Sequence, residues 1–331
     1  MAGRRATGGS KSKPTTVPAG GHDGEPGAPG RAELAIEARG ITKSFGKRAA
    51  LRGVDLAVRR GEVFAFLGPN GAGKSTTMAI LCTVRMPDAG TSRVAQHDCL
   101  AAPAAVRSRI GVLFQDRALD GDLSAEENLR FHAALYGMTG VAVSTAVQEG
   151  LAAMGLLGRR NDLVGTFSMG MARRLELARA LLHAPEVLFL DEPTRGLDPA
   201  SRTRFWHDLL EARRRHGFTV FFTTHYMDEV EHADRVAFLH DGLVVATGTP
   251  SEIRARVGND TIVLTTPKVV EAITQLRAAG YQAHEAGGEV VVEAGAGQVA
   301  AVVRALDVPV TSATVRRPTL DQAFVQLGGG Q

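Results

Sequence analysis

The chain has 331 residues, 44% hydrophobic and 22% charged, which leaves room for two ordinary domains and is too apolar for disorder throughout. A net charge of +3 is too small a bias to point to nucleic acid, so no nucleic-acid partner is expected. Cys82 and Cys99 cannot build a disulfide framework and lack CxxC metal spacing, which fits a reducing compartment.

Residues 1–31 hold eight glycines and four prolines with few large apolar side chains, so they read as a disordered, solubilising tail. Arg4 and Arg5 have no apolar run behind them, and no signal peptide is expected. From Leu34 the pattern becomes α/β. VFAFLG at 63–68 reads as a strand buried on both faces, as in a parallel sheet covered by helices. GPNGAGKST follows at once, comprising Gly68, Pro69, Asn70, Gly71, Ala72, Gly73, Lys74, Ser75 and Thr76. It fits GxxxxGK[ST] between a strand and a helix: glycines let backbone N–H groups cradle phosphates, Lys74 faces the β/γ-phosphates, and Ser75 offers a hydroxyl to Mg²⁺.

Between Asp116 and Gly165 the pattern is mostly helical, with one helix starting near Ser124, and reads as an insertion at about 116–165. The longest uncharged stretch, Phe131–Gln148, carries Gly137 and Gly140 and reads as two soluble helices with a turn rather than a membrane span. VLFLDEP at 187–193 is a second buried strand, ending in Asp191 and Glu192. Asp191 is placed to hold the Mg²⁺ shell, and Glu192, just past it, to polarise an attacking water as general base. TVFFTTH at 219–225 is a third such strand.

Composition shifts after Pro250. A strand at TIVLTT, a helix over 268–279, strands near 281–285 and 289–294, a helix near 297–306 and a strand near 309–315 give the order βαββαβ of ferredoxin-like modules. A last short helix is expected from Pro318 to Leu327. The expected division is a tail at 1–31, a nucleotide-binding domain at 32–250 and an accessory domain at 251–331.

These residues resemble the ATP-binding subunits of ABC transporters over nearly everything from Leu34 to Pro250. The motifs stand in the family's order: the phosphate loop, Gln115, FSMGM at 167–171, LDEPT at 190–194, RGLD at 195–198 and His225. Ser168 follows Lys74 by 94 residues, Asp191 follows Ser168 by 23, and His225 follows Asp191 by 34. The fold implied is an α/β P-loop NTPase of ABC type with a helical insertion, followed by the small C-terminal module. The resemblance also implies roles beyond those read from the residues. Phe45, in KSFG, would stack on adenine in place of the usual Tyr. Gln115 would touch Mg²⁺ and water and link the site to the membrane partner. His225 would contact the γ-phosphate, and Asp198 would communicate across a dimer.

The signature departs from the family's LSGGQ, with Phe167, Met169 and Met171 in place of Leu, the first Gly and Gln. Ser168 and Gly170 remain, and by the resemblance they offer a hydroxyl and a backbone N–H to the nucleotide of the opposite subunit. A methionine cannot take up positive φ cheaply, so Met169 either perturbs the composite site or points away from it.

LFQDRALDGDLSAEENL at 113–129 and RRPTLDQAFVQL at 316–327 are similar to drug-export ATPases of the daunorubicin-resistance type. That resemblance implies ATP and Mg²⁺ as cofactors and a separately encoded transmembrane permease as partner. It also implies a head-to-tail dimer with a second copy or a related ATPase, at the cytoplasmic face of the cell membrane. The function expected is hydrolysis of ATP to drive export of a drug-like or hydrophobic small molecule. The alternative is a regulatory ATP-binding subunit slowed by Met169. A chromosome-type ATPase would need long heptad arms and a translation-type ABC protein two complete sites in one chain, and neither is present.

Overall fold

Runs of aliphatic and aromatic residues with no polar interruption must be covered on both faces, and that requirement organises the molecule. The computed structural model describes residues 34–116, 118–256, 260–316 and 322. The N-terminal tail and the expected helix at 318–327 lie outside the described residues, apart from residue 322.

An antiparallel sheet comes first. β1 (Leu34–Phe45) pairs with β2 (Arg48–Arg59) on one side and β4 (Ala89–Val94) on the other, with β5 (His97–Asp98) beyond β4. The main sheet contains β3 (Val63–Leu67), β6 (Ile110–Leu113), β7 (Val187–Asp191), β8 (Thr219–Thr224), β9 (Arg235–His240) and β10 (Leu243–Gly248). Its order is β10-β9-β3-β8-β7-β6, parallel throughout except for β10.

Alternate residues of each central strand feed two different cores. Phe64, Phe66, Phe189 and Phe221 pack against the antiparallel sheet, α1 (Lys74–Leu81) and α2 (Pro103–Arg107). Their rings cluster around Phe221, with centroids 5.5–5.8 Å apart. Ala65, Leu67, Leu188, Leu190, Val220 and Phe222 face the helices of the other layer. Those helices are α3 (Ala125–Leu135), α4 (Val141–Ala153), α5 (Met169–Leu181) and α6 (Pro199–His216), with α7 (Met227–Val230) and α8 (Pro250–Ala255) following. Ser124 starts α3 through a capping box: its hydroxyl accepts the Glu127 amide, and the Glu127 carboxylate accepts the Ser124 amide. Among the described residues no helix is long and apolar enough to cross a membrane.

A third core belongs to residues 261–316. β11 (Thr261–Thr265), α9 (Val269–Ala278), β12 (Ala283–Ala286), β13 (Glu289–Glu293), α10 (Val299–Arg304) and β14 (Ser312–Arg316) follow one another. The sheet is antiparallel, in the order β12-β13-β11-β14. Ile262, Leu264, Val290 and Val292 meet Ala272 and Leu276 of α9 and Val302 of α10.

Candidate functional site

In an open parallel sheet the strand C-termini converge on one crevice. Here the loop after β3 turns directly into α1. The loop passes so close to β9 that a Cβ on Gly68 would lie 2.3 Å from the Leu239 carbonyl. Gly73 caps α1 at φ +113°, where a Cβ would meet Leu51 and the Ala50 carbonyl. The Lys74 side chain is buried and folds back on its loop, its Nζ donating to the carbonyls of Gly68 at 2.6 Å and Pro69 at 3.2 Å. Burial pulls its ammonium pKa down, partly offset by the charges of Glu192 and Asp191.

A cleft of about 510 Å³ opens over this loop. Of the residues singled out in the sequence, Phe45, Asn70, Gly71, Gly73, Lys74, Ser75, Thr76, Gln115 and Glu192 line it. Gly68, Pro69 and Ala72 are not in the lining; within the loop the Ala72 amide donates to the Pro69 carbonyl at 3.2 Å. Phe45 is 44% exposed, at the β1–β2 turn, with the Arg85 guanidinium 4.9 Å from its ring centroid.

Glu192 stands immediately after β7 at φ +43°, a region that costs a non-glycine residue of order 1 kcal/mol. Its amide donates to the Thr223 carbonyl and hydroxyl, both at 3.1 Å. Its carboxylate lies 3.2 Å from Arg195 and 3.3 Å from Nδ1 of His225. His225 thus stands behind Glu192, and it is absent from the cleft lining. Asp191 is buried beside them and accepts the Thr223 hydroxyl at 2.5 Å. Among the described residues no three His, Cys, Asp or Glu side chains gather into a metal cage. Ser75, Gln115 and Glu192 line the cleft instead, with Asp191 at the end of β7 next to Glu192; oxygen donors this sparse could hold a Mg²⁺ that keeps waters and phosphate oxygens in its shell.

Ser168, Gly170 and Asp198 are not in the lining. Ser168 is the N-cap of α5, its hydroxyl accepting the Met171 amide at 3.2 Å. Asp198 caps α6 by accepting the Ser201 amide at 2.9 Å and hydroxyl at 2.6 Å, which hold its carboxyl below the usual range. A Cβ on Gly170 would lie 2.6 Å from the Ser201 hydroxyl, so glycine there lets α5 lie against the start of α6. Met169 opens α5 without positive φ; it is 48% exposed, and its sulfur packs 3.1 Å from where a Cβ on Gly196 would stand. Met169 therefore sits in α5 without backbone strain.

Arg48, Ala50 and Arg195 also line the cleft, and the motif spacing does not single them out. Arg48 is the cross-strand partner of Phe45 and lies 3.5 Å from the Gly71 carbonyl; its signal in the sequence is the basic pair directly after KSFG. Arg195 begins RGLD, a motif whose family role belongs to its aspartate.

Residues 51–195 match the family model described as ABC transporter. The chain is 39% identical over 313 residues to the daunorubicin resistance ATP-binding protein DrrA3 of Streptomyces coeruleorubidus, covering 90% of this chain and 97% of that one. It is 41% identical over 234 residues to the probable multidrug ABC transporter ATP-binding protein YbhF of Escherichia coli, covering 71% of this chain but 40% of that longer relative. Its fold matches cbiO1 of Clostridium perfringens, part of an ABC transporter complex, with a TM-score of 0.63 at 26% identity, over 75% of this chain and 97% of that one. With a phosphate loop and a strand-end glutamate at one cleft, and a relative matched along almost its whole length, the chain belongs to the ABC transporter ATP-binding proteins and is similar to those named for daunorubicin resistance.

Proposed function

We propose that this chain hydrolyses ATP to power a separate membrane permease that exports a drug-like or hydrophobic small molecule. The observation that carries the reading is the convergence of Lys74, Ser75, Gln115 and Glu192 on one cleft, with Ser168 outside it. A cleft lacking its signature serine is completed by a second copy, or a related subunit, placed head to tail.

In this reading the amides of residues 68–76 and the Lys74 ammonium hold the β- and γ-phosphates, and Phe45 offers its open ring face to the base. Mg²⁺, held by Ser75, Gln115 and, through water, Asp191, would neutralise phosphate charge. Glu192 takes a proton from the attacking water as its oxygen bonds to the γ-phosphorus and the bond to the ADP oxygen breaks. His225 and Arg195 fix the Glu192 carboxylate from two sides. Across the dimer, Ser168 and the α5 N-terminus meet the γ-phosphate in the closed state alone, so binding closes the dimer and hydrolysis reopens it. The helical insertion and Gln115 pass that motion to the permease at the cytoplasmic face of the cell membrane. Residues 1–31, 32–250 and 251–331 act as tail, ATPase domain and accessory domain. The βαββαβ order and central β11 of the last support a ferredoxin-like module with a structural or docking role.

The test is Glu192→Gln, with Mg-ATP turnover and light scattering measured together. Turnover should fall about 10²-fold or more while ATP still binds and drives dimerisation. Near-normal turnover would remove Glu192 from the general-base role.

A further inference from the structure

Arg173 sits on α5, five residues beyond Ser168, and is only 8% exposed. A buried guanidinium is tolerated when its N–H groups all find acceptors, so where those acceptors lie is informative. Here most lie on the two segments that bring side chains to the cleft. Nε donates to the Pro193 carbonyl at 2.6 Å, and Nη2 reaches the carbonyls of Asp191 and Glu192 at 3.4 and 3.5 Å. Nη1 donates to the Phe114 carbonyl and to Glu176, both at 2.8 Å. Glu176, 1% exposed, uses its other oxygen to accept the Ala118 amide at 3.0 Å. The pair therefore holds the backbone on both sides of Gln115, at 114 and 118, and at Glu192 and its two neighbours.

The Glu192 backbone gains from such holding, because a left-handed φ is disfavoured for a non-glycine residue relative to the ordinary helical and extended regions. An Arg fork suits this position, since its rigid planar N–H groups span acceptors that a single ammonium cannot reach together.

We infer that Arg173 and Glu176 are positioning residues that tie the helix opened by Ser168 to Gln115 and Glu192 of the same chain. Resting on the proposed function, this means that when Ser168 docks on the second copy's nucleotide, the shift of α5 sets the geometry of the chain's own cleft. A displacement near 1 Å at the general base is worth up to about 10²-fold in rate, so a rigid link between the two sites matches its effect.

The experiment uses full-length protein carrying Arg173→Lys, the double variant Arg173→Met with Glu176→Leu, and Glu192→Gln in parallel. Arg173→Lys keeps the buried charge balanced, and the double variant removes both charges at similar volume, so both are designed to fold. Expected for both are a thermal midpoint within about 5 °C of the parent, KM for Mg-ATP within about twofold, and kcat lowered about tenfold or more. A merely structural pair would move the midpoint and spare the kcat of the folded protein. The inference is overturned if either folded variant keeps kcat within about twofold of the parent, or if neither variant folds, which would assign the pair to stability alone. Glu192→Gln separates the two levels: normal turnover there breaks the reading of the site itself, whereas an inactive Glu192→Gln beside fully active Arg173 variants breaks the link alone.

Discussion

The main sheet and the sheet of residues 261–316 solve the same packing problem differently. In β3, β7 and β8 every residue is buried, and the strands lie between two cores. In the C-terminal sheet β11 and β13 are buried at their centres, while β14 is exposed along nearly all its length and β12 along most of it. A strand with no free face can present polar groups only at its ends, so Asp191, Glu192 and the phosphate loop gather at one edge of the main sheet. A sheet with open edge strands spreads its polar groups along the strands instead of gathering them at one end.

The sharpest way to break that contrast is Lys74→Ala. Its ammonium is buried in the cleft, and its loss should abolish Mg-ATP binding and lower turnover about 10³-fold or more. Retained micromolar binding by titration calorimetry would sink the phosphate-loop assignment. Next in size, Phe221→Ala removes the ring at the centre of the aromatic cluster and should cost about 3–5 kcal/mol in urea unfolding, with loss of ATP turnover. Val292→Ala, fully buried in the third core, should cost about 1–3 kcal/mol and leave turnover within about twofold. Equal effects on turnover would show that the two sheets are not separable in function.

A pH series sharpens the comparison within the helical layer. Burial, with Arg179 and His183 alongside, pushes the His132 imidazole down to about 4 from an ordinary 6.5. Between those values the unfolded chain binds the extra proton, so this contribution is complete above about pH 6.5 and is lost as pH falls toward 4. At full weight that shift would be worth about 3 kcal/mol; solvent screening of a half-buried ring brings it to about 2 kcal/mol, and His132→Phe should be correspondingly less sensitive to acid in urea midpoints compared at pH 7 and 4.5. A parallel pH dependence in both proteins would remove His132 as the cause. Smallest, Ser168→Ala should cost about 1 kcal/mol of stability through the lost α5 cap, leaving ATP binding to the monomer intact.

The parallel strands are legible in the sequence because burial on both faces leaves unbroken apolar runs, and the phosphate loop because its glycines answer a backbone demand visible in spacing. The antiparallel pairing of β1 with β2 and β4 is not: its register slips repeatedly, which breaks the period-two pattern. Arg48 and Arg195 escape notice because a basic side chain near phosphate carries no spacing of its own. Arg173 and Glu176 are three apart on a helix and read as an ordinary surface ion pair; their burial depends on what α5 is pressed against. Asp198 stands out for its motif and its expected neighbours across a dimer, while the local signal of an acid before Pro199 also predicts the helix cap it forms.

Gly170 and Met169 are adjacent, yet they stand at opposite ends of mutational tolerance. The first has no room for one more carbon against Ser201, whereas the second is half open to solvent and touches its own chain through a flexible thioether. A library randomised at both codons and sorted for folded protein alone should return many residues at position 169 and glycine at position 170. The signature can therefore drift at the residue that departs from LSGGQ without surrendering the helix contact that keeps it a signature.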